Sequence, residues 1–252
     1  MQHNLQRVRW AIAISAAALA TSSQFLLGLT PAVAQRNHSV VPAGVGADSG
    51  DTSSSGVRGQ CIKSTAGLPS LTALLPQTAA ATLPLGQTAA AYPTLWVYVP
   101  ETTAEWANFL LVDAQGAEVY NLDFELTEQS GLIELPLNRM EDMPALEPNQ
   151  RYEWSFSLVC DPIDSSGNLV TEGELERIEL PSEQLEKLAT LTPMQQALLY
   201  AELGIWHDMV TQLAQIYREA PADRDLSGLW TQMLRDAGLA ELEAAEFSDW
   251  EL

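Results

Sequence analysis

The chain has 252 residues, and 33 acidic against 12 basic side chains give it a formal net charge of -21 at pH 7. This excess of negative charge disfavours binding to the phosphates of nucleic acids and to anionic lipid surfaces. A chain of this length accommodates one or two domains.

The first 34 residues predict a signal peptide for export. A segment with two arginines precedes an apolar region at residues 10–29, and Ala32 and Ala34 supply the small residues of a cleavage site. An uncleaved membrane anchor is the alternative, because the apolar region is long enough to cross a bilayer. Polar residues 21–24 interrupt that region and favour cleavage. We therefore expect a periplasmic or extracellular protein that is soluble, without membrane insertion once the signal is removed.

Residues 35–60 are rich in serine, glycine and aspartate, and this composition predicts a disordered linker. The chain has two cysteines, Cys61 and Cys160. An even number of cysteines in an oxidising compartment favours a disulfide, with two buried thiols as the alternative. We predict a structural disulfide between Cys61 and Cys160.

Residues 61–180 predict an antiparallel β-sandwich of the immunoglobulin or fibronectin type, because several short strands alternate with turn residues. Apolar and polar residues alternate most clearly from Tyr152 to Cys160. The last strand is more polar, and we expect it at a sheet edge. The predicted strands cover residues 94–99, 109–112, 120–126, 132–135, 152–160 and 169–180.

A short motif precedes the clearest strand. Leu146, Pro148 and Tyr152 have the Leu-x-Pro-x-x-x-Tyr spacing, which is similar to the tyrosine corner of fibronectin type III domains. In those domains the tyrosine hydroxyl hydrogen-bonds back to the preceding turn. Antibody-type domains place the tyrosine two residues before a cysteine, whereas Tyr152 lies eight residues before Cys160.

Residues 181–252 change to a helical period and predict a small helical module of three to four helices. Ser182 is expected to cap the first helix, and Thr192 with Pro193 to begin the second. Later helices are predicted at residues 206–219 and 226–237.

The central two helices resemble one tetratricopeptide repeat. Their matching residues are Tyr200, Gly204, Trp206, Leu213 and Pro221. Met209 and Ile216 stand where that family usually has alanine. We expect Trp206 and Trp230 to pack in one helical core, because both belong to apolar stripes at helical spacing. The predicted fold class is therefore α+β, a sandwich followed by helices.

Residue patterns that would indicate a catalytic, cofactor or metal site are weak. His207 is expected to cap a helix or lie on the surface. Glu172, Glu174 and Glu176 share a strand face, which could host acid–base chemistry but is better explained as a solvated edge. The loop at residues 161–168 is rich in oxygen ligands that could bind calcium weakly, although the same residues form turns. We predict no catalytic residue, cofactor or metal ligand.

Six segments of the chain together match a known family. They are residues 58–61, 71–76, 93–100, 152–161, 172–173 and 199–208. On these segments the chain resembles an exported cyanobacterial family catalogued as domain of unknown function 928. The resemblance runs from Arg58 to Gly238. It implies a cell-envelope location and a sandwich followed by helices, and it implies no activity.

The function expected from the sequence is that of a non-enzymatic cell-envelope protein that acts as a protein-interaction module. Its partner would be another envelope protein. The alternatives are a carboxylate-based hydrolase of an envelope polymer and an acidic protein that binds divalent cations. A cleft holding two facing carboxylates would favour the hydrolase.

Overall fold

The computed structural model describes residues 61–63, 69–77, 83–126 and 130–248. The predicted signal peptide (residues 1–34) and linker (35–60) lie outside these residues. The strands are β1 (Thr72–Ala73), β2 (Leu85–Thr88), β3 (Thr94–Val99), β4 (Trp106–Asp113), β5 (Glu118–Glu125), β6 (Gly131–Pro136), β7 (Gln150–Val159) and β8 (Leu169–Arg177). The helices are α1 (Ser182–Thr190), α2 (Pro193–Leu203), α3 (Trp206–Glu219) and α4 (Arg224–Asp236). The fold class is therefore α+β, as predicted at this level.

The larger sheet has five strands in the order β2-β8-β7-β4-β5. β2 runs parallel to β8, and the other pairs are antiparallel. The period-two pattern of β7 explains its central position, because Tyr152, Trp154, Phe156 and Leu158 are all buried while the residues between them face outward. These four side chains point to the inner face of the sheet.

The smaller sheet has the antiparallel order β1-β3-β6 and is buried on both faces. One face of β3, with Leu95, Val97 and Val99, packs in a core with inward residues of the larger sheet. The other face, with Trp96 and Tyr98, packs in a second core with the helices. Burial on both sides explains why β3 is a nearly continuous apolar run rather than an alternating one.

Local signals fix the starts and ends of the helices. Thr192 caps α2 in a capping box with Gln195, and Pro193 occupies the first helical position. Gly204 ends α2 in the left-handed conformation with φ of 75°. The expected cap at Ser182 is wrong: Ser182 is the first helical residue of α1, and the N-cap is Pro181 without a side-chain hydrogen bond.

The helical layer packs mainly through α3, which contacts β2 and β3. Trp230 of α4 is 2% exposed in the second core. Trp206 is only partly buried and packs against both cores, and its Nε1 donates to the Leu74 carbonyl at 2.7 Å. Trp206 thus joins the two cores instead of lying within one. Among the described residues, no helix has the length and apolar content needed to span a bilayer.

The predicted edge position of β8 is wrong, because β8 lies between β2 and β7. The sequence analysis missed β2, whose four residues Leu-Gly-Gln-Thr have neither a marked alternation nor a β-branched run. It also missed β1, which has only two residues. β8 is therefore an inner strand, and its polar residues are explained by the one side of the strand that faces solvent.

Candidate functional site

The outer face of the larger sheet is broad and polar. The strands that the described helices mainly contact are β2 and β3. The outward residues of β4, β5, β7 and β8 are exposed or half-buried apart from Val112. Strand register brings these side chains into rows across the sheet. We call this surface the acidic face and define it by its polar residues and Trp106, which are Gln87, Trp106, Asn108, Asn121, Asp123, Glu125, Arg151, Glu153, Ser155, Ser157, Glu172, Glu174 and Glu176. The apolar residues Leu110, Val112 and Val170 lie among them on the same side of the sheet.

Hydrogen bonds organise both margins of the acidic face. On the β4–β5 side, Asn108 Nδ2 donates to Asn121 Oδ1 at 2.7 Å and to Asp123 Oδ1 at 2.8 Å. On the β8 side, Arg151 lies 3.4 Å from Glu174 and 3.7 Å from Glu176. These contacts link side chains of neighbouring strands on both margins of the face.

Negative charge on this face is only partly neutralised. The face as defined carries six carboxylates and one guanidinium, that of Arg151. Burial raises the pKa of Glu172, and repulsion from Glu153 raises it further. Arg151 pairs with Glu174 and Glu176, so the carboxylates of Glu153 and Glu172 are left to repel each other. A cationic group placed here would relieve that repulsion.

An exposed aromatic residue lies at one end of the face. Trp106 begins β4 and is 44% exposed. It pairs with Val159, the residue before Cys160, so it stands next to the disulfide. Tryptophan combines a large apolar area with a hydrogen-bond donor and is enriched among residues that dominate binding energy.

A disulfide joins Cys61 to Cys160, with their Cα atoms 5.2 Å apart. Further contacts tie the segment of Cys61 to the residues just before β4. The Cys61 carbonyl accepts from Thr103 N at 2.6 Å and from Thr102 Oγ1 at 2.6 Å. The beginning of the described chain is thereby fixed to the end of β7.

The loop at residues 161–168 uses its carboxylates to form turns. Asp161 Oδ1 accepts from the backbone of Ile163 at 2.8 Å, and Asp164 Oδ1 accepts from Ser166 at 3.0 Å. The hydrogen bonds with Ser166 lower the pKa of Asp164. Within the described part of the chain, no three acidic, histidine or cysteine side chains are grouped as a metal site requires.

The predicted tyrosine-corner residues come together at the start of β7. The hydroxyl of Tyr152 accepts a hydrogen bond from Glu147 N at 2.8 Å. Leu146 is 1% exposed, and its carbonyl accepts a hydrogen bond from Arg177. Pro148 lies in the turn between them. This arrangement anchors the turn before β7 to β8.

Removing the hydroxyl in Tyr152→Phe should lower the free energy of unfolding by about 1 kcal/mol, because Glu147 N loses its acceptor. Urea denaturation measures this change. Tyr92→Phe is the matched control, since Tyr92 is 41% exposed. Equal stability of the Tyr152→Phe protein and wild type would contradict a stabilising role for this hydrogen bond.

The side chain of His207 is buried between α3 and β2. His207 is 2% exposed, and Nε2 has no hydrogen-bond partner in the described structure. Burial lowers the pKa of His207 to about 3. The prediction of a capping or surface histidine is therefore wrong. Gly86 makes the burial possible, because a Cβ atom at that position would lie 2.3 Å from His207 Nε2.

The neighbouring carboxylate connects the two layers. Asp208 Oδ2 accepts from Thr88 Oγ1 at 2.7 Å and from Ala89 N at 3.2 Å. Burial raises the pKa of Asp208, although these hydrogen bonds oppose the shift. No sequence motif marks His207 as buried or Asp208 as half-buried, because the residues that cover them belong to β2 and the segment after it.

Comparison with known proteins identifies a family. The sequence model of that family covers residues 53–247. The chain belongs to the family described as Domain of Unknown Function (DUF928). This membership agrees with the resemblance found in the sequence, and the matched span contains the whole acidic face. None of the curated proteins matches the chain.

This member of the DUF928 family also has a shallow surface pocket of about 390 Å³ along α4. Its lining includes Arg224, Ser227, Thr231 and Arg235. Arg235 is already paired with Glu243 at 2.5 Å. The pocket includes Pro221, which the sequence analysis named only for its place in the tetratricopeptide resemblance, and none of the residues considered there for chemistry. It also lies on a different element from the acidic face, so the acidic face is the better candidate.

Proposed function

We propose that this protein is an exported, non-enzymatic component of a cyanobacterial cell envelope that binds a basic segment of another protein through its acidic face. The observation that carries the proposal is the broad sheet face with six carboxylates and the exposed Trp106. Export and location are supported by the signal-like residues 1–34 and by the family resemblance.

We further propose that the two sheets form a sandwich of the immunoglobulin or fibronectin type, with α2 and α3 as a tetratricopeptide-like hairpin. Inward residues of both sheets share one core, and Tyr152 makes the hydrogen bond expected of a tyrosine corner. Gly204 provides the tight connection between the two helices. Both architectures usually present surfaces to partners, which supports an interaction role by analogy.

The acidic face suits a basic partner for two physical reasons. Its like charges steer a cationic segment during encounter and disfavour acidic competitors. Exposed ion pairs contribute little each, about 0.5 kcal/mol, so the affinity must come from several pairs together with the apolar surface of Trp106. Lysine or arginine placed between Glu153 and Glu172 would gain most, because that pair has unrelieved repulsion.

Neutralising three carboxylates of the face that have no ion-pair partner among the described residues tests the proposal. The triple variant Glu125→Gln, Glu153→Gln and Glu172→Gln should bind a synthetic lysine-rich peptide about tenfold more weakly than wild type, since three pairs at ~0.5 kcal/mol sum to ~1.5 kcal/mol. Isothermal titration at low ionic strength measures the change, and wild-type binding should weaken as salt is added.

The control variant removes the same charge from the helical layer. Glu183→Gln, Glu186→Gln and Glu219→Gln change exposed residues of α1 and α3. This protein should bind the peptide like wild type. Equal weakening in both triple variants would show that only net charge matters, and the proposal of a specific surface would fail.

One observation favours the hydrolase as a second candidate. Glu172 has a raised pKa beside another carboxylate, which is the arrangement that acid–base catalysis uses. If the protein releases sugars from an envelope polysaccharide, Glu172→Gln should abolish the release. Unchanged release in that variant would remove Glu172 from any such role.

A further inference from the structure

The smaller sheet has an edge that the chain's own C-terminal segment partly covers. β6 is one of the two edge strands of this sheet. The backbone N–H and carbonyl groups of Leu132 in β6 point away from β3. Leu132 N donates to the Glu246 carbonyl at 2.8 Å, and Ser248 N donates to the Leu132 carbonyl at 2.9 Å. Residues 246–248 therefore lie parallel to β6, with Phe247 opposite Leu132. A strand edge of this kind is a template for any extended segment.

The approach of this segment depends on a glycine in β6. Gly131 has φ of +119°, and a Cβ atom there would lie 2.4 Å from the Glu246 carbonyl oxygen. Any other residue would obstruct the close approach. The edge is thus shaped to receive a strand at this point.

Phe247 enters an aromatic slot next to that edge. The centroid of its ring lies 5.6 Å from that of Trp96, 5.9 Å from Tyr217 and 5.2 Å from Trp230. The guanidinium of Arg218 lies 5.8 Å from the centroid of the Phe247 ring. We use the name aromatic slot for the side chains of Trp96, Tyr217, Arg218 and Trp230. Aromatic contacts and a cation over the ring favour an aromatic occupant over an aliphatic one.

Contacts that do not involve Phe247 hold the walls of the slot. Tyr217 and Trp230 stack at 5.9 Å with an interplanar angle of 6°. Arg218 pairs with Glu134 of β6 at 3.4 Å, and Trp96 Nε1 donates to Thr211 Oγ1 at 3.1 Å. The slot is therefore preorganised, and emptying it would not require its walls to rearrange. Preorganised sites bind at a lower entropic cost.

We propose that the aromatic slot and the adjoining edge of β6 form a binding site for an extended segment of another polypeptide with an aromatic side chain. Phe247 occupies this site within the same chain, and its release frees the site. Residues 246–248 meet β6 in an isolated bridge at Leu132 and not in a continuous ladder, and segments with few backbone bonds open most readily. Tethering gives the chain's own segment a millimolar effective concentration, so it competes with the partner and sets a threshold for binding. This site is separate from the acidic face and goes beyond the function proposed above.

The full-length Phe247→Ala protein tests the site with a defined probe, a labelled synthetic peptide of residues 244–252. The variant should bind this peptide at least tenfold more tightly than wild type in fluorescence anisotropy, because its own segment no longer fills the slot. A peptide with alanine in place of the phenylalanine should lose that binding. Benzoylphenylalanine at the same peptide position should cross-link to β6, α3 or α4.

A matched variant separates this effect from general loosening of the protein. Phe124→Ala also removes a phenylalanine side chain, one that is partly buried against the core between the two sheets. This variant should bind the peptide like wild type. If Phe247→Ala is unfolded at the temperature of the binding experiment, Phe247→Leu is the substitute. Leucine keeps the slot partly filled, so this variant should show a smaller increase in affinity for the peptide. Equal binding by wild type and both Phe247 variants would overturn the proposal. Cross-links to other parts of the protein would overturn it too. If wild type forms dimers without added peptide and Phe247→Ala does not, the occupant of the slot is a second copy of this chain, and the proposal of a foreign partner fails.

Discussion

Lowering the pH from 7 to 4.5 should reduce the free energy of unfolding by about 3 kcal/mol through His207 alone. The folded protein keeps His207 neutral with a pKa of about 3, whereas the unfolded chain binds a proton near pH 6.5. This contribution to stability is complete above pH 6.5 and is lost as the pH falls towards 3, at about 1.4 kcal/mol per unit. Urea denaturation at half-unit steps of pH measures it.

The variant His207→Gln isolates this contribution. It should be less stable than wild type at pH 7, and the difference should shrink as the pH falls, because only wild type has the histidine to protonate. Asp208 and Glu172 act with the opposite sign: their raised pKa values mean that stability falls as the pH rises through their folded pKa values. Both carboxylates remain in the variant, so their contributions cancel in the difference. Parallel curves for the two proteins between pH 7 and 4.5 would show that His207 is accessible to protons.

The burial of His207 could not be predicted from the sequence, because it depends on contacts between distant residues. Alternation and helical stripes depend on neighbouring residues, so β7 and α3 were predicted with nearly their observed bounds. The position of His207 depends instead on Gly86, more than a hundred residues away in a strand too short to have a pattern. A histidine near a helix start is locally compatible with solvent, and only the pairing of β2 with β8 makes it a core residue.

The acidic face likewise combines local patterns, which the sequence reveals, with contacts between distant residues, which it does not. The sequence places Glu172, Glu174 and Glu176 on one side of β8, and the structure agrees. The sequence could not show that β7 lies beside β8 and that β4 and β5 follow in the same sheet, because strand order depends on long-range pairing. The repulsion between Glu153 and Glu172, and the position of Trp106 at the end of the same surface, therefore required the structure.

Removing the disulfide should have the second large effect on stability. The bond between Cys61 and Cys160 spans a sequence separation of 99 residues. For a loop of about this length the chain-entropy argument gives ~4.7 kcal/mol as an upper figure, and real losses usually lie at 2–5 kcal/mol. The double variant Cys61→Ser and Cys160→Ser should unfold at correspondingly lower urea concentration than the oxidised wild type, because its unfolded state gains conformational freedom.

Reduced wild-type protein is the matched comparison, since it lacks the bond but keeps both sulfur atoms. It should be destabilised like the double variant, and adding reductant to the double variant should change nothing. The helices should be affected through global unfolding and not separately, because Cys61 bonds to the residues just before β4 and Cys160 directly follows β7. Two titratable thiols in the unreduced, denatured protein would disprove the bond, and unchanged stability after reduction would assign it no structural role.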